Sequence, residues 1–427
     1  MSGSSGINAV LDAIETKKFG GELSGEQISA VVSGYTSGEV PDYQMSALLM
    51  AIFTKGMSRS ETVALTRTMA DSGRRYSFPD CVDKHSTGGV GDKVSLTALP
   101  IVAACGAPVA KLSGRGLGIT GGTIDKLEAV PGFTFDLSEK RFREQVETVG
   151  LAITEAGNLA PADKAIYALR DTTGTVDSLP LIGSSIVSKK AATGAGYLLY
   201  DVKCGSGAFM KTPEQAGELA RLLVELSEAL GVKASALITD MRNPLGSAVG
   251  NALEVRESVA FLKGEPAPAD LAEMAGIVAA RLLRLKGVSE PERAIREALS
   301  SGAAYGKLRE FVAAQGGDVG FLDAPVVSGE VREVRAEKSG YVAAFDALGV
   351  GRGALVLGAG REKKGEALDY GAGVEVLVRA GYRVEAGQTV ALLYGGRNVE
   401  RAARLVGDAL LLEDKPVAAP PVILDGL

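Results

Sequence analysis

Two glycine-rich segments constrain this chain more than any other feature. "KHSTGGVGDKVS" (84–95) and "KLSGRGLGITGGTIDKLE" (111–128) each stand between a short β-type run and a stretch that reads as helix. Glycine lets backbone N–H groups approach an anion closely, while Ser86, Ser95, Ser113 and Thr123 add hydroxyls and Lys84 adds a cation. One such loop would be an ordinary surface turn. Two in the same region point to a site for a phosphate-sized anion.

The texture around these loops predicts an α/β fold. Apolar runs such as "PVAKLS" alternate with helical stretches such as "SEKRFREQVETVG" and "TPEQAGELARLLVELSEALG", the pattern of a sheet with helical crossovers. Upstream, Ser24 with Gln27 and Ser58 with Glu61 have capping-box spacing, and Gly34 and Gly73 read as helix stops. Residues 161–192 are again helical, so the helical layer resumes mid-chain, with "GNLAP" and "TGAG" as crossings and hinges. After about Val326, alternating valines broken by glycines predict a β-rich module. Its "AGYRVEAGQTVALL" looks like the barrel-sandwich hairpins of lipoyl and biotinyl carriers, yet the tip-like "FDALGVG" offers no lysine to modify. The expected class is mixed α/β (α+β). A small helical domain takes residues 1–73 and 161–192, a larger α/β domain 74–160 and 193–325, and a β-rich, barrel-sandwich-like C-terminal module 326–427.

Composition excludes several classes of function. With 427 residues and 46% apolar content the chain buries a large core and divides into two or three domains. Its net charge of −6 provides no basic field for nucleic acid. Cys81, Cys105 and Cys204 form neither a disulfide framework nor a metal knuckle, which suits a reduced cytoplasm. "MSGSSG" reads as a flexible leader, with no signal peptide after it. The longest uncharged run, 94–110, carries two prolines and a glycine and falls short of the roughly 20 apolar residues of a membrane span.

Individual residues leave alternatives open. Gly116, Gly118 and Gly121 satisfy G-x-G-x-x-G, and Asp136 lies where a ribose-binding acid would be sought, so a nicotinamide oxidoreductase is one reading. Arg115 between the glycines speaks against it, and no Walker A sequence is present. His85, the one histidine, would by itself be a buried, hydrogen-bonded imidazole. Beside a phosphate pocket it can also donate a proton or hydrogen bond to a leaving group. A metal role would need a second histidine or cysteine nearby. Ser185 and Lys189, four apart, share a helix face, which alone describes a solvated surface.

The run "SGRGLGITGGTIDKLE" resembles the signature of the thymidine and pyrimidine-nucleoside phosphorylases. "KHSTGGVGD", "ALRDTTGTVDS", "SSIVSKK", "DVKCGSGAFM" and "DMRNPLGSAVGNALEVRE" resemble the same family in the same order. The resemblance implies a homodimer of two-part subunits that cleaves uridine, thymidine and deoxyuridine with inorganic phosphate as co-substrate and no organic cofactor. It implies phosphate binding by Lys84, Ser86, Ser95, Ser113 and Thr123, and pyrimidine binding and catalysis by His85, Arg170 and Lys189, with Ser185 also at the base. Lys111 stands where thymidine-restricted members commonly have methionine and broad members lysine. A potassium site is implied at Gly91, Lys93, Leu245, Ala248 and Glu257, although the family has threonine where this chain has Lys93. Ile119 stands where many relatives have histidine. A phosphoribosyltransferase of the anthranilate type is the nearest alternative, but it has no role for His85 or for the C-terminal module.

Overall fold

Capping fixes the first helices. Ser24 and Gln27 close a capping box at the start of helix Gly25–Ser37, and Ser58 and Glu61 do the same for helix Arg59–Ala70. The first of these runs past Gly34, which is buried inside it, and stops at Gly38 in the left-handed conformation. In helix Asp42–Lys55 the buried Met45, Leu48, Leu49 and Ile52 recur at helical spacing. They pack with Val10, Val31 and Leu65, and with Ile166 and Leu181 of helices Pro161–Thr173 and Leu179–Thr193. Glu61 pins this bundle from inside: its carboxylate accepts from Lys17 Nζ at 2.7 and 2.8 Å, from the Leu23 N–H at 2.7 Å and from the Ser58 N–H at 2.6 Å.

The computed structural model describes residues 6–427 apart from Leu117, Thr120, Ser328, Glu330, Lys364 and Gly365, with residues 6 and 7 as backbone only. Residues 1–5 of the expected leader, and Leu117 and Thr120 of the second glycine segment, lie outside the described residues. The chain forms two units: Met1–Cys81, Ala156–Leu198 and Glu218–Ala234 make the helical one, and Val82–Glu155, Leu199–Gly217 and Ser235–Leu427 the other. The segment Glu218–Ala234, most of it from helix Pro213–Ala229, joins the helical unit although nothing local in its sequence marks it off.

The second unit holds most of a six-stranded sheet. Strands β1 (Phe78–Ser86), β2 (Val109–Leu112), β3 (Leu151–Thr154), β4 (Ala195–Cys204) and β5 (Lys233–Asp240), with the terminal strand Ile423–Gly426, are ordered terminal-β5-β4-β1-β2-β3. β1–β2 and β2–β3 run parallel, in the register Val82↔Val109 and Lys111↔Ile153, while Ile423–Gly426 is antiparallel to β5. All four residues of β2 and of β3 are buried, as expected for a parallel sheet covered on both faces. The uncharged run after the first glycine loop becomes helix Val94–Ala104, buried on every side.

The C-terminal module holds two small sheets. One contains Val331–Arg335, Gly373–Val376 and Thr389–Tyr394, with Ala248–Val249 supplied from earlier in the chain; the other contains Gly340–Phe345, Arg383–Val384 and Leu410–Glu413. It is less purely β than its valine pattern predicts. "FDALGVG" is no hairpin tip: Asp346 caps helix Ala347–Ala354 by accepting from the Gly349 N–H, and Val399–Asp408 is a second helix.

Candidate active site

β1 delivers Asp83, Lys84, His85 and Ser86 to its C-terminal end, where the first glycine loop begins, and β2 delivers Lys111 just before Ser113 and the second loop. Ligand sites of parallel sheets form at such strand ends. Ser95 lies in the first turn of helix Val94–Ala104, and Thr123 opens the short helix Thr123–Leu127.

The second loop is tied down from below. One oxygen of Asp125 accepts from the N–H of Gly116 at 2.6 Å and of Gly122 at 3.1 Å, and the other accepts from Arg361 at 3.2 Å. A Cβ on Gly122 would lie 2.3 Å from the Gly116 nitrogen, so only glycine closes this loop. The dinucleotide reading loses its structural context. Its fingerprint opens a long crossover helix, whereas Thr123–Leu127 has 5 residues, and Asp136 is exposed in a loop.

Beside the loops lies a buried charge network missing from the sequence reading. Asp201 Oδ2 pairs with Lys84 Nζ at 2.9 Å and Lys203 Nζ at 2.8 Å, and its Oδ1 accepts from the Thr239 hydroxyl at 2.7 Å. Asp92 approaches the same two lysines at 3.7 and 4.0 Å and accepts from the Ser86 hydroxyl. Burial opposes ionisation of Asp92, but Lys203, Lys84, Lys126 and the Ser86 hydroxyl outweigh it and hold its carboxyl far below the usual range. Burial likewise disfavours the Lys84 charge, and Asp201 and Asp92 override that and raise its pKa. Lys84, expected to face an anion, is therefore fully buried with its ammonium engaged by two carboxylates. Lys111 is buried too, donating to the Lys84 carbonyl at 2.5 Å and pairing with Asp83 at 3.5 Å. His85 is half-buried, its ring edge-on to Tyr200 with centroids 6.1 Å apart.

In the helical unit, Lys189 donates to Ser185 Oγ at 3.0 Å and pairs with Asp163, so the two residues expected to share a helix face touch. Asp163 is not singled out by sequence. The available signal is its place two helical turns before Arg170, on the same face. Arg170 is 1% exposed and donates to the carbonyls of Thr175 at 3.2 Å, Leu181 at 3.1 Å and Val176 at 2.7 Å. Burial lowers its pKa against the opposing pull of Asp163, Tyr167 and Asp177. Three of its five N–H donors thus shape the turn between two helices.

The residues of the expected potassium site do assemble, around a different cation. Lys93 Nζ lies 2.7 Å from the Leu245 carbonyl, 3.0 Å from the Ala248 carbonyl and 2.7 Å from Glu257 Oε2. Gly91, at φ +71°, lines the same spot: a Cβ there would stand 2.6 Å from the Leu245 oxygen. A metal ion among these oxygens would have to share their space with an ammonium of the same sign. The residues present do not fit a bound potassium ion.

Comparison with known proteins gives three family matches in chain order. Residues 11–73 match the helical bundle domain of a glycosyl transferase family and 78–305 its a/b domain, while 341–410 match a pyrimidine nucleoside phosphorylase C-terminal domain. A thymidine phosphorylase of Mycobacterium tuberculosis is 50% identical over 96% of this chain and 97% of its own length. A pyrimidine-nucleoside phosphorylase of Geobacillus stearothermophilus is 43% identical over 97% and 99%, and one of Staphylococcus epidermidis 45% identical over 90% and 92%. Among solved structures, anthranilate phosphoribosyltransferase from Thermus thermophilus superposes with a TM-score of 0.59 at 23% identity. It covers 71% of this chain and 99% of its own, a likeness of fold alone.

Proposed function

Because this chain belongs to the glycosyl transferase family that includes the thymidine and pyrimidine-nucleoside phosphorylases, we propose that it cleaves both uridine and thymidine with inorganic phosphate, releasing the base and the sugar 1-phosphate. The observation that carries the reading is the match of residues 341–410 to a domain described for pyrimidine nucleoside phosphorylases. A phosphoribosyltransferase has no use for that module.

Breaking an N-glycosidic bond builds positive charge on the sugar and negative charge on the departing base. Phosphate at C1′ stabilises the first, and donors at the pyrimidine carbonyls stabilise the second. On the second unit, Ser86, Ser95, Ser113, Thr123 and the glycine-loop N–H groups take phosphate, with Lys84 setting the positive end of the network beneath them. His85, Lys189 and Ser185 act at the pyrimidine, and Arg170 acts there with the donors left after it has braced its turn.

The exposed Tyr43, 74% accessible, with Met50 two helical turns on and Phe53 in the same helix, together with the exposed Leu11 and Phe19 in and just after helix Gly6–Lys18, supports a homodimer formed through the helical unit. Among the described residues no helix is long and apolar enough to cross a membrane. All three cysteines are free thiols, two of them buried, which supports an enzyme of the reducing cytoplasm.

The test is incubation with uridine or thymidine, with and without phosphate, and chromatography of the products. Absence of base release, or release that ignores phosphate, refutes phosphorolysis. For breadth, Lys111→Met should lower uridine cleavage relative to thymidine. The ratio is the readout, because the substitution also leaves the buried Asp83 without its ammonium. A wild type that rejects uridine refutes breadth, and an unchanged ratio refutes the role of Lys111.

A further inference from the structure

We propose that Lys93 is a tethered replacement for a monovalent cation, so that this protein neither binds nor needs potassium at the site formed by Leu245, Ala248 and Glu257. The geometry is complete. An ammonium has three donors, and Lys93 Nζ has three oxygen acceptors at 2.7, 3.0 and 2.7 Å: two carbonyls and one carboxylate. Lys93 is fully buried, and such a charge persists only when paired and hydrogen-bonded. Glu257 in turn accepts from the N–H of Ser247 at 2.7 Å and of Ala248 at 3.1 Å; burial works against its charge, but Lys93 and these bonds hold its pKa below the usual range.

The arrangement has a consequence for the loops. Lys93 immediately follows Asp92 at the end of the first glycine loop and precedes helix Val94–Ala104. Its side chain ties that loop to residues 245–248, which Arg379 also grips, directly through Ser247 Oγ at 2.9 Å and indirectly through Asp270, which accepts from Arg379 at 3.0 Å and from the Gly246 N–H at 3.1 Å. A diffusible cation would make this link depend on ion concentration. A covalent one is always in place.

The test uses thermal melting in potassium, sodium and choline chloride at equal ionic strength and needs no assay of turnover, so it stands apart from the proposed function. Wild-type midpoints should agree within about 1 °C, since a ligand that does not bind cannot shift them. A rise specific to potassium overturns the proposal. Lys93→Thr should melt on the order of 5–10 °C lower in choline, because the largely buried Glu257 loses its counter-charge, and should regain at least half of that in potassium. Failure to respond specifically to potassium overturns the proposal. Glu257→Gln serves as a second variant, destabilised but still filled by the ammonium. It should gain nothing from potassium, and a specific gain there overturns the proposal as well.

Discussion

Replacing Asp201 by asparagine isolates the charge at the centre of the buried network. The amide keeps the shape and can still accept from the Thr239 hydroxyl, while two lysines lose the oxygen they share at 2.8 and 2.9 Å. Two lysines and two aspartates make the cluster neutral, so Asp201→Asn leaves one uncompensated positive charge. Coulomb attraction across 2.9 Å amounts to about 6 kcal/mol per pair at an effective dielectric of ~20. Desolvation offsets much of that, and removing one member of a buried pair costs about 3–5 kcal/mol net. Asp201 and Lys203 are 0% and 1% exposed, so solvent provides no relief. The expected outcome is a fall in melting temperature on the order of 10 °C and a matching loss in urea. Lys203→Met alone leaves the opposite excess, and the double variant is neutral again, so the double should be more stable than the sum of the singles by roughly 3 kcal/mol. Additivity within about 0.5 kcal/mol would refute the claim that charge balance holds this cluster together.

Other consequences are as direct. Asp163→Asn releases Lys189 from its carboxylate and should raise the KM for nucleoside about tenfold, leaving that for phosphate unchanged in steady-state kinetics. Arg361→Ala loosens Asp125 and with it the N–H groups of Gly116 and Gly122, and should weaken phosphate rather than nucleoside in the same measurements. His85→Ala should lower turnover on the order of 10²-fold without shifting the melting curve, and wild-type activity in the folded variant would return His85 to a structural role. Asp92 has a lowered pKa in the folded state, so the unfolded chain binds the extra proton. Its contribution is whole above about pH 5 and is lost as pH falls through 4 and below, and Asp92→Asn should flatten that part of the stability profile in acid titrations.

Much of this protein is legible locally. Capping boxes depend on residues three apart, and both form as read; the glycine loops stand at strand ends because turns there need freed N–H groups. Helix stops are less secure, since Gly34 is tolerated inside a helix whose buried face accepts a small residue. The contact of Ser185 with Lys189 follows from helical spacing alone.

The roles of the charged residues are a different matter. "KHSTGGVGD" presents Lys84 as a cation available to a ligand, and only the placing of β4 beside β1 brings Asp201 and Lys203 into the cluster around it. In sequence Lys93 either repels a cation or replaces one, and the choice between the two rests on the carbonyls of Leu245 and Ala248 and the carboxylate of Glu257 that the fold brings to its ammonium. Sequence by itself determines which backbone conformations and caps are favoured, because those energies are settled within a turn or two of chain. Which buried charges neutralise one another is decided by the tertiary fold, because an ion pair in a dry interior depends on separations of a few ångströms between residues that the chain alone leaves far apart.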